Sequence, residues 1–556
     1  MNELDSLTFA AMLRQGAMAL GKEKKIINDL NVFPIPDGDT GDNMYMTIKA
    51  GCNALEGHLG TLSEISSAAS SGMLLGARGN SGVILSRIFA GLAKGLQGVI
   101  VADVPAFDKA MHSAVEEAYK AIPVPVEGTI ITVLREGTEG ADSNGDLEHY
   151  FDTLVDAMKT SLDHTPELLQ VLKDAGVVDS GGAGLLCIAQ GMSQGLKGET
   201  SDEEPVPVMT STAPAVDLSK FNENSVLEFG YCTEFLLRLM RAKVDLDTFD
   251  ERVIIDYLNR VGESVVAFRD GSIVKVHVHT FTPGVILNEM QKYGEFLTIK
   301  VENMSLQHEE WRTENGERKV ESSPFSDLRS PLKTYGVVTV AAGDGLINAF
   351  KEMGVDEVIV GGQTMNPSTQ DFVEAFKRIN AKHILVFPNN SNIKMAAEQA
   401  AELYQRNYVS APNIVIVPST SIGEGYYGIG CIDRDNPNVE EVVESVKEAM
   451  DSSVSGVIST AIRNAEGEVK VCEGDFVGFS GKKILSDSPS RTEAFKMLCR
   501  ELGAASRDVM IVFYGQNVPE EEAATLSSEL QNEFKNLEII INCGLQPVYD
   551  YILLLC

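Results

Sequence analysis

Three aspartates within six residues, Asp37, Asp39 and Asp42, stand in the run N-V-F-P-I-P-D-G-D-T-G-D-N-M from Asn31 to Met44. Carboxylates this close repel one another unless something positive sits between them. A hard cation such as Mg²⁺ takes oxygen ligands and leaves positions for waters and substrate phosphates. Pro34 and Pro36 stiffen the approach, while Gly38 and Gly41 permit the backbone conformations of a tight acidic loop. The plain alternative is a solvated Asp-Gly turn. Phosphates need a cradle as well, and Gly76-Ala77-Arg78-Gly79-Asn80-Ser81-Gly82 precedes Ile84, Leu85, Ile88 and Leu92 at helical spacing. Asn80 or Ser81 is expected to cap that helix, leaving first-turn amides to hold an anion. No G-x-x-x-x-G-K-[ST] occurs in the chain, so a P-loop does not supply the phosphate site. A glycine-mediated helix contact is the structural alternative.

The same grammar of acidic turn, glycines and helix start recurs from Asp174 to Gly184, with Asp179 and Gly181 ahead of Leu185, Leu186 and Ala189. Between these segments, Thr129 and Thr132 flank an apolar pair just after Gly128, where a threonine capping a helix is the simpler reading. Farther on, Val274-Lys275-Val276-His277-Val278-His279-Thr280 alternates as a strand, with His277 and His279 on one face. A thiolate from Cys232 across the sheet would bring the set to three of the four positions zinc prefers. Two surface histidines are the alternative.

The first four segments, in this order and spacing, resemble the kinase domain of the dihydroxyacetone kinase L-subunit family. Over nearly all 556 residues the chain is similar to the bacterial fatty acid kinase ATP-binding subunit family. That resemblance implies an all-helical barrel whose mouth binds ATP through two Mg²⁺ ions, held at the positions of Asp37, Asp39 and Asp42. Around the nucleotide it implies Asn43, Gly79, Asn80, Ser81, Gly82, Thr129, Asp179 and Gly181. Asn31 stands where the three-subunit dihydroxyacetone enzymes carry a further acidic ligand. The resemblance also implies zinc at Cys232, His277 and His279, a DegV-like carboxy-terminal domain and a homodimer. Its acceptor would be a fatty acid carried by a separate DegV-type binding protein, giving acyl phosphate and ADP. A carboxylate acceptor is already ionised and needs no general base. Two rivals are a dihydroxyacetone-type small-molecule kinase and a nonenzymatic sensor of ATP or lipid. The first lacks the family's histidine-bearing sugar domain here, and the second has no need of so costly a charge cluster.

These residues must be held by several domains, because 556 residues exceed one core. Phe9, Met12, Leu13, Gly16 and Leu20 fall on one face of a helix, and helical patterns continue to about residue 196. A kinase domain is expected over residues 1–197, a linker over 198–218, and a middle α+β domain over 219–315. A second linker over 316–332 then leads to an α/β domain over 333–556. In that last domain short apolar runs alternate with helical segments, the pattern of a mostly parallel sheet whose ligand cleft opens at strand carboxyl ends. Asp plus Glu number 80 against 46 Lys plus Arg, a formal charge of −34. That excludes nonspecific nucleic-acid binding and disfavours an anionic bilayer. Neither a secretory signal nor a membrane-spanning run is read, and eight single cysteines without a C-x-x-C pair point to a reduced, cytoplasmic location.

Overall fold

The computed structural model describes residues 2–198, 231–303 and 332–556, apart from 31–37, 59, 123, 246–248, 251, 271, 363–364, 408–410 and 466–468. Asp37 therefore lies outside the described residues. Two compact units are formed, one by residues 1–201 with 331–556 and the other by residues 202–330.

The first part of the larger unit is all helical. Its elements are α1 (Ser6–Asp29), α2 (Thr40–Asn53), α3 (Leu62–Gly76), α4 (Gly79–Gly95), α5 (Val104–Lys120), α6 (Ile130–Gly140), α7 (Leu147–Leu168), α8 (Gln170–Ala175) and α9 (Ser180–Leu196). The stripe expected on α1 is the buried one: Phe9, Met12, Leu13, Gly16 and Leu20 all face inward. Each large apolar side chain so buried contributes about 1.5–3 kcal/mol. The helix starts with Asp5 accepting from the Thr8 amide at 2.8 Å, which satisfies one of its orphan donors. Phe107, Tyr150 and Phe151 meet within this helical core, Tyr150 edge-on to both phenylalanines.

The smaller unit is α+β. Strands β1 (Tyr231–Leu239), β2 (Glu263–Asp270), β3 (Ile273–Thr280) and β4 (Gly294–Asn303) form an antiparallel sheet in the order β2-β3-β1-β4. Helices α10 (Arg252–Val261) and α11 (Pro283–Met290) complete it. Val274, Val276 and Val278 are buried with Phe235, Leu237 and Ile254, as strict alternation requires of a strand with one face on a core.

From Lys333 onward the larger unit is α/β. Strands β5 (Lys333–Ala341), β6 (Glu357–Val360), β7 (Ala381–Phe387) and β8 (Asn413–Ile416) form a parallel sheet, order β6-β5-β7-β8. Its helices are α12 (Asp344–Glu352), α13 (Thr369–Lys377), α14 (Ser391–Asn407), α15 (Ile422–Gly430) and α16 (Val439–Ser452). The expectation of a mostly parallel sheet fails beyond this point. Strands β9 (Val454–Thr460), β10 (Phe476–Ser480), β11 (Lys483–Ser488), β12 (Val509–Tyr514), β13 (Glu538–Cys543) and β14 (Tyr551–Leu555) make a second sheet, ordered β11-β10-β9-β14-β12-β13. There only β12 and β13 run parallel, and every other pairing is antiparallel. In the middle of that sheet lies the run Tyr551–Leu555. It is buried along its whole length and pairs antiparallel with both β12 and β9, so it ends the chain as a central strand.

The helical and α/β parts share a core. Ala77 and Val83 at the start of α4 are buried together with Phe372 and Phe376 of α13 and Ile393 and Ala396 of α14. Polar contacts extend it: Gln399 Nε2 donates to the Leu74 carbonyl at 2.8 Å, and Arg87 reaches Gln399 and Glu402, each at 2.9 Å. Truncating the central strand by Leu553→Ala, at a fully buried position, is expected to cost about 2–5 kcal/mol. Calorimetric melting of the variant against the wild type checks this.

Candidate active site

The acidic turn leads into α2, and its two described aspartates have different surroundings. Asp42, in the first turn, accepts from Lys24 Nζ at 2.7 Å and from Asn28 Nδ2 at 2.7 Å. Burial alone would raise its carboxyl, but these two donors and the Lys24 charge hold it below the usual carboxylate range. Asn28 Oδ1 accepts from the Gly41 amide at 2.7 Å and from the Asp42 amide at 3.3 Å. The start of α2 is thus clamped to α1 so closely that a Cβ at Gly41 would stand 2.2 Å from the Lys24 carbonyl oxygen. Asp39 occupies the N-cap position yet makes no side-chain cap. Its carboxylate instead accepts from Asn366 Nδ2 at 2.5 Å, a donor from the α/β part of the chain.

Gly79 opens α4 with φ +56°. A Cβ there would lie 2.4 Å from Asn43 Nδ2 and 3.0 Å from Asn366 Nδ2, so only glycine lets the chain pass between the two amides. The N-cap of α4 is Arg78 and has no side-chain cap, which corrects the expectation that Asn80 or Ser81 caps this helix. Both lie inside its first turn, because the helix begins earlier, at Gly79. Asn80 Nδ2 is engaged by Asn392 Oδ1 at 3.3 Å. Gly82 sits against Thr47 Oγ1 and the Asn43 carbonyl, packing α4 on α2.

The other two segments arrive at the same place. Asp179 caps α9 by accepting from the Gly182 amide at 2.7 Å, and it also accepts from the Ile130 amide at the start of α6. Asp179 is only partly exposed, and the protein crowded around its carboxyl pushes it up to about 6 against the pull of those amides. Gly181 lies beside Ile130, so the starts of α9 and α6 touch. Ser180 Oγ donates to Thr40 Oγ1 at 3.3 Å and joins α9 to the start of α2. Thr129 stands at the N-cap of α6 with no capping bond; its hydroxyl donates to the Val126 carbonyl at 2.8 Å. Four helix N-termini, those of α2, α4, α6 and α9, are therefore linked by direct contacts. Each carries about half a positive charge, an arrangement that suits a polyanion, although Asn28 already engages the Gly41 and Asp42 amides of α2 and Asp179 those of Ile130 in α6 and Gly182 in α9. For a small hard cation beside them the donors are oxygen only: the Asp39 carboxylate, with the Asn366 and Asn80 amide oxygens, which are buried without a partner among the described residues.

Residues 34–194 match the DAK2 domain, residues 228–311 the middle domain of the FakA-like fatty acid kinase family, and residues 336–555 the C-terminal domain of that family. Protein YloV of Bacillus subtilis strain 168 is 37% identical over 561 residues, covering 99% of this chain and 98% of its own. The chain belongs to the FakA-like fatty acid kinase family. An uncharacterised protein of Staphylococcus aureus strain USA300 is 34% identical over 562 residues, covering 99% of each chain. Among solved structures, a DegV family protein of Corynebacterium glutamicum has 12% identity over 40% of this chain and 96% of that one, with a TM-score of 0.32. Dihydroxyacetone kinase of C. freundii in complex with AMP-PNP and Mg²⁺ has 13% identity over 40% and 48%, with a TM-score of 0.31. Scores this low carry no argument.

In this FakA-like chain the middle sheet places Cys232 directly opposite His279, and Glu234 opposite His277, in the β1–β3 register. The side chains of Cys232, His277 and His279 lie outside the described residues. The C-terminal domain holds a cavity of about 360 Å³, lined in part by Gly362, Met365, Asn389, Asn390, Thr420 and Ser421. These belong to the strand-end loops at which a cleft was expected. Sequence reasoning missed Lys24, Asn28, Arg78 and Asn366. The first two had a signal, standing four apart on one face of α1. Asn366 had none, because its partner lies 327 positions away. No described helix is long and apolar enough to cross a membrane.

Asp179 yields a pH prediction. Its folded pKa of about 6 exceeds the ordinary value of 3.8, so the folded state holds the proton more tightly. The cost of the buried charge is complete above pH 6 and is relieved as pH falls toward 4. Asp179→Asn keeps a capping oxygen and no charge. It is expected to raise stability by about 1–3 kcal/mol at pH 8, with the gain vanishing near pH 4. Melting curves of both proteins across that range check the sign.

Proposed function

We propose that this chain is the ATP-dependent kinase subunit that phosphorylates the carboxylate of a fatty acid presented by a separate lipid-binding protein. The observation that carries the reading is the meeting of four helix N-termini beside Asp39. Family membership supports a kinase; the carboxyl acceptor, the carrier and the cofactor are this proposal's own.

The first-turn amides of α4, with Gly79, Asn80, Ser81 and Gly82, hold the phosphates of ATP, and the positive ends of α9 and α6, tied by Asp179, Gly181 and Thr129, complete the cradle. Asp39, with Asp37, would hold Mg²⁺, which supplies charge neutralisation to the phosphates when bound. Asp42 fixes the turn through Lys24 and Asn28, which keeps the acidic loop from springing open under its own charge. The acceptor carboxylate oxygen forms a bond to the γ-phosphorus as the bond to the bridging oxygen breaks, and ADP leaves with that electron pair. No proton has to be removed from the acceptor. The chain's contribution is positioning and fixed charge.

Asp37→Asn and Asp39→Asn are expected to lower Mg²⁺-ATP turnover by about a hundredfold or more with the fold intact, since the change is nearly isosteric. ADP release with oleate on a DegV-type carrier, free oleate and dihydroxyacetone tests the acceptor. Turnover only with the loaded carrier supports the proposal, and turnover with dihydroxyacetone makes the chain a small-molecule kinase. Silence with all three leaves a sensor. The middle domain is read in the same spirit as a zinc site of Cys232, His277 and His279, a soft sulfur and two imidazole nitrogens suiting that metal. Cys232→Ala and His279→Ala should each lose about one zinc per chain by elemental analysis. Unchanged metal content would end that assignment.

A further inference from the structure

We propose that Asn366, in the α/β domain, is a positioning residue of the kinase site: the domain reaches across in cis and orients the carboxylate of Asp39. The inference rests on the kinase reading above.

Residues 366–371, at the start of α13, are tied to the stretch that leads into α4. Asn366 is 1% exposed, and its backbone carbonyl accepts from Arg78 Nη1 at 2.7 Å. Ser368 makes a β-bridge with Arg78, and the Thr369 amide donates to the Ala77 carbonyl at 3.0 Å. Ser368 and Asp371 form a capping box at α13, with the Arg78 guanidinium 3.8 Å from Asp371. A side chain held this firmly can set the direction of another, and Asn366 Nδ2 donates to Asp39 Oδ2 at 2.5 Å. That bond also assigns the amide, because the flipped form would set its oxygen against a carboxylate oxygen.

The second observation is the other end of the same amide. Asn366 Oδ1 is buried and has no hydrogen-bond partner among the described residues, and the same holds for Asn80 Oδ1. Both amides turn their NH₂ ends to a residue of the other domain, Asp39 in one case and Asn392 in the other. An interface selected only for adhesion would not leave two buried oxygens unpaired, since each costs about 1–3 kcal/mol. Beside Asp39 and the first turn of α4, such oxygens accept from the waters around a bound cation. Asn366 thus does two things toward Mg²⁺-ATP: it stops the Asp39 carboxylate from folding back to cap α2, and it offers one more acceptor. By linkage, Mg²⁺-ATP and docking of the α/β domain strengthen each other.

The test uses the full chain and measures equilibrium binding of AMP-PNP as Mg²⁺ is titrated, without turnover. Asn366→Ala is expected to raise the half-saturating Mg²⁺ concentration about tenfold, with AMP-PNP binding in the absence of Mg²⁺ unchanged. Asn366→Asp, close to isosteric, sets a second carboxylate against Asp39 and should shift it further. Gln399→Ala, which cuts the Leu74 contact of the same interface away from the acidic turn, should lower the melting temperature and leave the Mg²⁺ midpoint in place. A wild-type midpoint in both Asn366 variants would overturn the proposal and leave the kinase reading standing. Absence of Mg²⁺-dependent AMP-PNP binding by the wild type would overturn both.

Discussion

Negative charge crowded into one turn, on a chain already carrying −34, is the constraint from which the rest of the site follows. At separations of a few ångströms, two carboxylates repel by about 1 kcal/mol in water and several times that where protein excludes it. The fold answers with different means at each position. Asp42 is neutralised by an ion pair with Lys24, whose ammonium also lies 5.2 Å from the Tyr45 ring, and by Asn28. Asp39 accepts from a neutral amide, Asn366 Nδ2, which directs the carboxylate. Around both stand the positive ends of helices.

That difference explains why the α/β domain is seated where it is. A neutral amide directs a carboxylate through its N–H without bringing a charge of its own. A donor without charge had to come from elsewhere, and it comes from a segment braced by Arg78, which itself joins the acidic turn's neighbour, Gly79, to Ser368 and Asp371. The shared apolar core of Ala77, Val83, Phe372 and Ile393 supplies the adhesion. The polar contacts at its edge set direction, and directional contacts are the ones that matter for geometry at a site.

How much of this was legible in the sequence depends on the range over which each feature acts. The stripe on α1, the strand at Val274–Thr280 and the apolar runs of β5 and β7 are local patterns, and they were readable because periodicity reports a buried face. So were the glycine-rich helix starts. What failed was pairing. The run Tyr551–Leu555 is apolar throughout and carries no mark of its direction, so it gave no hint of a central antiparallel strand. Likewise Asn80 is a residue type that caps helices, but the cap falls on Arg78, two residues earlier, and Asn80 is free to cross the domain boundary. Asn366, in a polar loop among others like it, acquires meaning only through Asp39.

The same loop has a second face. Met365 lines the cavity of the α/β domain, and the next residue, Asn366, holds Asp39. Asn390 lines that cavity too, its Oδ1 accepts from the Asn392 amide at 2.8 Å, and Asn392 meets Asn80. Two short segments therefore touch the cavity on one side and the starts of α2 and α4 on the other. Packed protein transmits displacement rather than damping it. A change in the cavity that moved Met365 would bear on the amide that aims the Asp39 carboxylate, and a change at the cradle would bear on the cavity. Placing both at the carboxyl ends of one parallel sheet makes that coupling a property of the fold, because the strand-end loops are the only parts of such a sheet able to face a ligand and a neighbouring domain together.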